Sequence, residues 1–175
     1  MNEPLQRRFN RLETARRDVL AGLEGHDRTR LNRPRADGGW SALQVLHHVI
    51  AAEAGTLRYT SKKMLGGTSL PRAGLLSRLR VLSLQVAMVS PLRFKAPAVT
   101  ADVPEEIDPD ELRARWDEVR TGWKKLLGEF PEEILDRLVF RHGFVGLMGL
   151  PDTLAFLQAH LDHHARQVDR ALGSD

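Results

Sequence analysis

Seven histidines stand in a chain of 175 residues that has no cysteine: His26, His47, His48, His142, His160, His163 and His164. Five of them fall in two clusters, His47-His48 and His160-x-x-His163-His164. On an α-helix, His160 and His164 project from one face, one turn apart. His164 also occupies an apolar seam formed by Leu154, Leu157, Leu161, Val168 and Leu172, where Leu or Val is expected. An imidazole buried there needs a partner, because an unpaired polar group in the interior is costly. A histidine from the other cluster, at 47 or 48, can supply a third nitrogen across a bundle. Three neutral imidazoles with an open fourth position suit a divalent metal such as Zn, Ni, Mn or Fe. Position 161 is Leu rather than Glu, so the pattern is not the H-E-x-x-H of metalloproteases, and histidine pairs at this spacing also occur on ordinary helix surfaces.

Other side chains near these clusters could assist. Glu53 lies toward the apolar face of its helix, where a carboxylate is unusual without a partner; it is a candidate acid–base group, or else an ion-pair partner of Arg166 or Arg170. Gln167 follows His163 by one turn and His164 by three residues, and is a candidate for orienting a ligand imidazole. Asp162 points away from the pair and reads as solvated. His26 sits in a polar loop. His163 is either the outward neighbour of the pair or an outer support for it. Arg93 and Lys95 could draw an anionic substrate to the bundle end, although ordinary loop charges explain them more simply.

These residues must be held by helices. Leu5, Phe9, Leu12, Arg16, Val19 and Leu23 alternate in steps of four and three, one helical stripe that ends in the polar stretch Arg28 to Gly39. Ser41 with Gln44 forms a capping box, Trp40 can staple onto Val45, and Leu43, Leu46, Ile50, Ala54 and Leu57 carry the next helix to about Met64. Leu75, Leu79, Leu82, Val86 and Val89 predict a third helix, stopped by Pro91. Asp108-Pro109-Asp110-Glu111 opens another, with Leu112, Trp116, Val119, Trp123 and Leu126 as its stripe. After a turn at Pro131 and a Gly-rich loop from His142 to Gly149, the last helix runs from about Pro151 to Leu172. Four long helices, a shorter fifth and no convincing strand predict an all-α bundle with a crossover connection, in one domain over residues 1–175.

Composition narrows the function. Without cysteine there are no disulfides, thiol nucleophiles, iron–sulfur clusters or thiolate-bound zinc. The longest strongly apolar stretch without charge, Val81 to Leu92, is too short to span a bilayer, and the N-terminus opens no apolar run, so a cytoplasmic protein is expected. Residues 1–95 carry a net charge of +10 and residues 96–175 a net −7. The basic residues are spread over helical faces and few aromatics accompany them, which argues against a nucleic-acid partner.

The order of the motifs adds to this reading. Trp40-Ser41 precedes a helix with His48 eight residues after the Trp, Phe140-x-His142-x-x-x-Gly146 precedes the last helix, and His160-x-x-His163-His164-x-x-Gln167-Val168 lies within it. Together they resemble the DinB-like superfamily, also called DinB/YfiT-like, over nearly the whole chain. The resemblance implies a four-helix bundle with a metal site at one end, and by position the ligands would be His48, His160 and His164. On periodicity alone the choice between His47 and His48 stays open: His47 falls at the edge of the apolar face and His48 points further round, beside Val45 and Ala52. Spacing from Trp40 favours His48. Relatives often have His-Pro where this chain has His142-Gly143, so the resemblance assigns His142 no role. It further implies thiol-dependent S-transfer or isomerisation, with a low-molecular-weight thiol as co-substrate, and dimers are familiar among relatives.

Three functions are expected in descending order: a metal-dependent transferase or hydrolase acting on a small molecule, a non-catalytic bundle whose histidines are structural, and a nucleic-acid-associated stress protein. A homodimer through the Leu75–Val89 stripe is a candidate assembly, although core packing explains the stripe equally well.

Overall fold

The structure, a computed structural model, describes residues 2–75, 79, 82 and 103–173. The helix expected over Leu75–Val89, apart from Leu75, Leu79 and Leu82, and the connection carrying Arg93 and Lys95 lie outside the described residues. Four long helices, α1 (Glu3–Ala21), α3 (Ala42–Met64), α4 (Pro109–Glu129) and α5 (Leu150–Leu172), form the bundle, with a short helix α2 (Arg28–Asn32) between the first two. Among the described residues no helix is long and apolar enough to cross a membrane.

The helix starts follow from local chemistry. Ser41 Oγ accepts the Gln44 N–H at 3.2 Å and Gln44 Oε1 accepts the Ser41 N–H at 3.1 Å, so two of the otherwise orphaned donors at the head of α3 are satisfied reciprocally. Asp108 Oδ1 accepts the N–H groups of Asp110 and Glu111 at the head of α4, just ahead of Pro109. Helix α1 packs against α4 and α5, and α3 packs against the same two. The two pairs α1/α3 and α4/α5 therefore lie on the diagonals of the bundle. The connection through α2 crosses one diagonal and the connection from α4 to α5 crosses the other, which is the crossover topology the sequence predicts. Where α3 and α4 cross, a Cβ on Gly122 would stand 2.6 Å from Leu57 Cδ2, so a larger residue there requires the Leu57 side chain to move.

Two expectations need correction. The loop expected over His142 to Gly149 is largely a hairpin: β1 (Leu138–His142) pairs antiparallel with β2 (Gly146–Gly149), with His142 opposite Gly146. Strands this short show too few alternations to be told from loop, and Gly146, at φ +77°, closes a turn that other residues adopt only with strain. The polar stretch after α1 likewise holds α2, capped by Asp27 Oδ1 on the Arg30 N–H at 2.8 Å. Asn32 then clamps the segment before α4 by exchanging two 2.9 Å hydrogen bonds with the backbone of Ile107.

Among the described residues one ion pair is buried on both sides. Glu53 of α3 is 1% exposed and Arg120 of α4 is 4% exposed. Arg120 Nη2 donates to Glu53 Oε1 at 2.8 Å, the Trp116 indole N–H donates to Glu53 Oε2 at 3.1 Å, and Arg120 Nη1 lies 3.2 Å from Glu13 Oε1 of α1. The partner of Glu53 is therefore Arg120, and not Arg166 or Arg170, both of which are exposed. Burial pushes the Glu53 carboxyl up, against the opposing pull of Arg120 and the Trp116 N–H. Such a pair adds little over an apolar replacement, but stranding one partner is expensive. Glu53→Ala is therefore expected to cost about 3–5 kcal/mol in chemical denaturation. The double variant Glu53→Met/Arg120→Leu recovers most of that loss.

Candidate metal centre

Helix α5 presents Phe156, His160 and His164 on successive turns of one face. From α3, His48 reaches the same point. Ring centroids are 4.5 Å apart for His160 and His164, 4.8 Å for His48 and His164, and 5.4 Å for His48 and His160. Each imidazole offers a nitrogen within 4.8 Å of the other two. The three side chains are buried, with exposures of 5, 9 and 8% for His48, His160 and His164. They form the one group of three or more metal-ligating side chains among the described residues.

The neighbouring histidine of α3 goes elsewhere. His47 is half-buried, with Nε2 3.3 Å from Arg115 Nη1 of α4, and does not join the cluster. Trp40, just before the Ser41 cap, places its ring 5.4 Å from His48, which explains the eight-residue spacing between them. On the other flank Phe156 lies 5.6 Å from His160. The cluster is therefore walled by aromatic rings at both ends.

Gln167 bonds both neighbouring histidines. Its Oε1 lies 2.9 Å from His164 Nδ1, and its Nε2 lies 3.0 Å from His163 Nε2. An amide oxygen only accepts, so His164 carries its proton on Nδ1 and presents the Nε2 lone pair to the cluster. The amide N–H in turn donates to His163. Glu53 stands apart: both carboxylate oxygens are engaged by Trp116 and Arg120, and it is not among the clustered groups. Asp162 is exposed and accepts from Gln158 Nε2 at 2.8 Å, and His26 is exposed.

A divalent cation fits the residues present. All three donors are imidazoles, and His160 Nδ1 is buried with no hydrogen-bond partner. A lone pair directed at a cation removes the cost of such an orphan, and three histidine ligands leave the fourth position of a tetrahedral ion open. Electrostatics keeps the donors in the form that binds metal. Burial, and then the neighbouring imidazoles, hold His160 well below the usual histidine range. Burial and His48 push His164 down to about 3, against an upward pull from Gln167.

The same shifts set the acid stability of the metal-free protein. In the unfolded chain these histidines take up protons as the pH falls through about 6.5, whereas in the folded chain His164 stays neutral to about 3. Between those values the unfolded state binds more protons, so folding stability falls as acid is added. The melting temperature of the metal-free protein is expected to drop steadily from pH 6.5 to pH 4, and His164→Leu to flatten the slope. An unchanged slope would contradict the burial of a neutral His164.

The sequence model of the DinB superfamily matches residues 11–168. Comparison with curated proteins finds no match. Among solved structures, TT2238, described as a four-helix bundle protein, is 20% identical, with a TM-score of 0.61 over 95% of this chain and 98% of its own. YfiT from Bacillus subtilis, described as a probable metal-dependent hydrolase with an unusual four-helix bundle topology, is 17% identical, with a TM-score of 0.60 over 98% of this chain and 87% of its own. At these identities the two structures speak for the fold. The match of the family's own sequence model, running from within α1 to near the end of α5, settles the family: the chain belongs to the DinB superfamily.

Proposed function

We propose that the protein is a metal-dependent enzyme that acts on a small molecule by hydrolysis or by transfer to a thiol. The observation that carries this reading is the meeting of three buried imidazoles, one from α3 and two from α5, with a nitrogen left unpartnered at His160. The description of YfiT as a probable metal-dependent hydrolase supports the hydrolytic form. When bound, a divalent ion with three neutral ligands retains its full charge and supplies Lewis acidity toward water, a thiol or a substrate oxygen.

The remaining work belongs to the chain. His48, His160 and His164 hold the ion. Gln167 fixes the His164 tautomer and the plane of its ring, and so acts as a positioning residue. Trp40 and Phe156 shield the cluster from water on two sides. A thiol nucleophile would have to arrive with a low-molecular-weight co-substrate, because the chain has no cysteine. Glu53 has no place in this reading, since its carboxylate is committed to α4. We also read the protein as cytoplasmic and as a homodimer, on the sequence grounds given above; size-exclusion chromatography with light scattering tests the second.

Elemental analysis of untagged protein purified without chelator tests the centre. About one equivalent of zinc, nickel, manganese or iron is expected in the wild type, lost in His48→Ala, His160→Ala and His164→Ala and kept in His47→Ala. Gln167→Ala is expected to weaken metal affinity by about 10–100-fold. The metal-loaded wild type is expected to turn over a small activated ester or a thiol-transfer substrate. No metal uptake would overturn the reading. Full metal occupancy with no turnover on either substrate class would make the site structural.

A further inference from the structure

The hairpin between α4 and α5 brings one more histidine toward the metal centre. We propose that His142, at the end of β1, is a substrate-binding residue: its Nε2–H donates a hydrogen bond to an acceptor oxygen of an acyl compound whose flat apolar body lies against Phe144 and Phe156. The proposal rests on the metal-centre reading and names the substrate class for that site.

The donor follows from the turn. The backbone N–H of Phe144 donates to His142 Nδ1 at 3.3 Å. A neutral imidazole that accepts at Nδ1 carries its proton on Nε2. His142 is not one of the clustered nitrogens, so this N–H is not spent on the ion. Burial holds the ring below the usual histidine range, so at neutral pH it acts as an uncharged donor. Such a group suits a carbonyl oxygen.

Its placement follows from the rings. His142 lies 4.8 Å from Phe156, edge to face, and Phe156 lies 5.6 Å from His160. One ring therefore separates His142 from a metal ligand. Phe144 lies 5.8 Å from His142 and is 73% exposed. From the hairpin tip to Trp40 the row Phe144, His142, Phe156, His160, His48, Trp40 is unbroken, with centroid spacings of 4.8 to 5.8 Å. Its exposed end offers an apolar face, and His160 and His48 further along it belong to the metal centre. A ligand that spans both has an oxygen for the metal and a flat apolar body for the rings.

The test uses the full chain loaded with zinc and two hydroxamates, benzohydroxamate with the flat ring and acetohydroxamate without it, measured by titration calorimetry. The variants separate the two ring nitrogens. His142→Asn places an amide oxygen near the Nδ1 position and keeps the turn, whereas His142→Gln places an amide N–H near Nε2 and keeps the donor. With one equivalent of zinc in every variant, His142→Asn is expected to weaken both ligands about tenfold, an effect of hydrogen-bond size. His142→Gln is expected to restore most of the loss. Phe144→Ser is expected to abolish the preference for benzohydroxamate while leaving acetohydroxamate unchanged. Wild-type affinity in His142→Asn, or no recovery in His142→Gln, overturns the proposal with the metal centre intact. Zinc-loaded wild type that binds neither hydroxamate overturns it too. Failure of the wild type to hold zinc overturns the metal-centre reading first, and this proposal with it.

Discussion

Three imidazoles packed against one another in the interior of a protein cannot all be charged, and neutral imidazoles still need something to accept their lone pairs. That constraint organises one end of this bundle. Burial keeps His160 and His164 unprotonated. Gln167 Oε1 accepts a hydrogen bond from the His164 Nδ1–H, and His160 Nδ1 is left without a partner. A leucine at position 160 or 164 would pack there without any such cost, so the arrangement is a liability for stability unless a cation resolves it.

The geometry depends on α3 serving two neighbours at once. His48 and Glu53 are five residues apart, which turns them about 140° around the helix axis. The first therefore faces α5 and the second faces α4. The bond from Glu53 to Arg120 and Trp116 holds the register and rotation of α3 against α4, and this rotation aims His48 at the α5 pair. Glu13 of α1 extends the same network to a third helix. A polar contact on another side of α3 thus bears on how His48 meets the α5 pair. The crossover topology supports this, because it makes α4 and α5 the common neighbours of α3.

Much of the bundle could be read along the chain because its signals are local. The Ser41–Gln44 box and the Asp108-Pro109 start mark helix ends through a few adjacent residues, and His160 and His164 share a face by spacing alone. The choice between His47 and His48 could not be made from the apolar stripe, since His47 falls at its edge and His48 points further round. The contact of Trp40 with His48 shows why the spacing from the tryptophan was the better guide. What could not be read was set by packing order. Nothing in the sequence ranks Arg120 above Arg166 or Arg170 as the partner of Glu53 until α4 is known to flank α3. The hairpin was hidden by its own shortness, and with it the orientation of His142, whose Nδ1 is engaged by a backbone group two residues on.

The proposed centre holds one divalent ion between α3 and α5 on three imidazoles. Anomalous diffraction from a crystal grown with zinc, collected on both sides of the zinc absorption edge, tests it most directly. One strong peak is expected at about 2.0–2.1 Å from a single nitrogen of each of His48, His160 and His164, with His47 outside the coordination sphere. A peak held by other residues, or none at this cluster in zinc-saturated crystals, would contradict it.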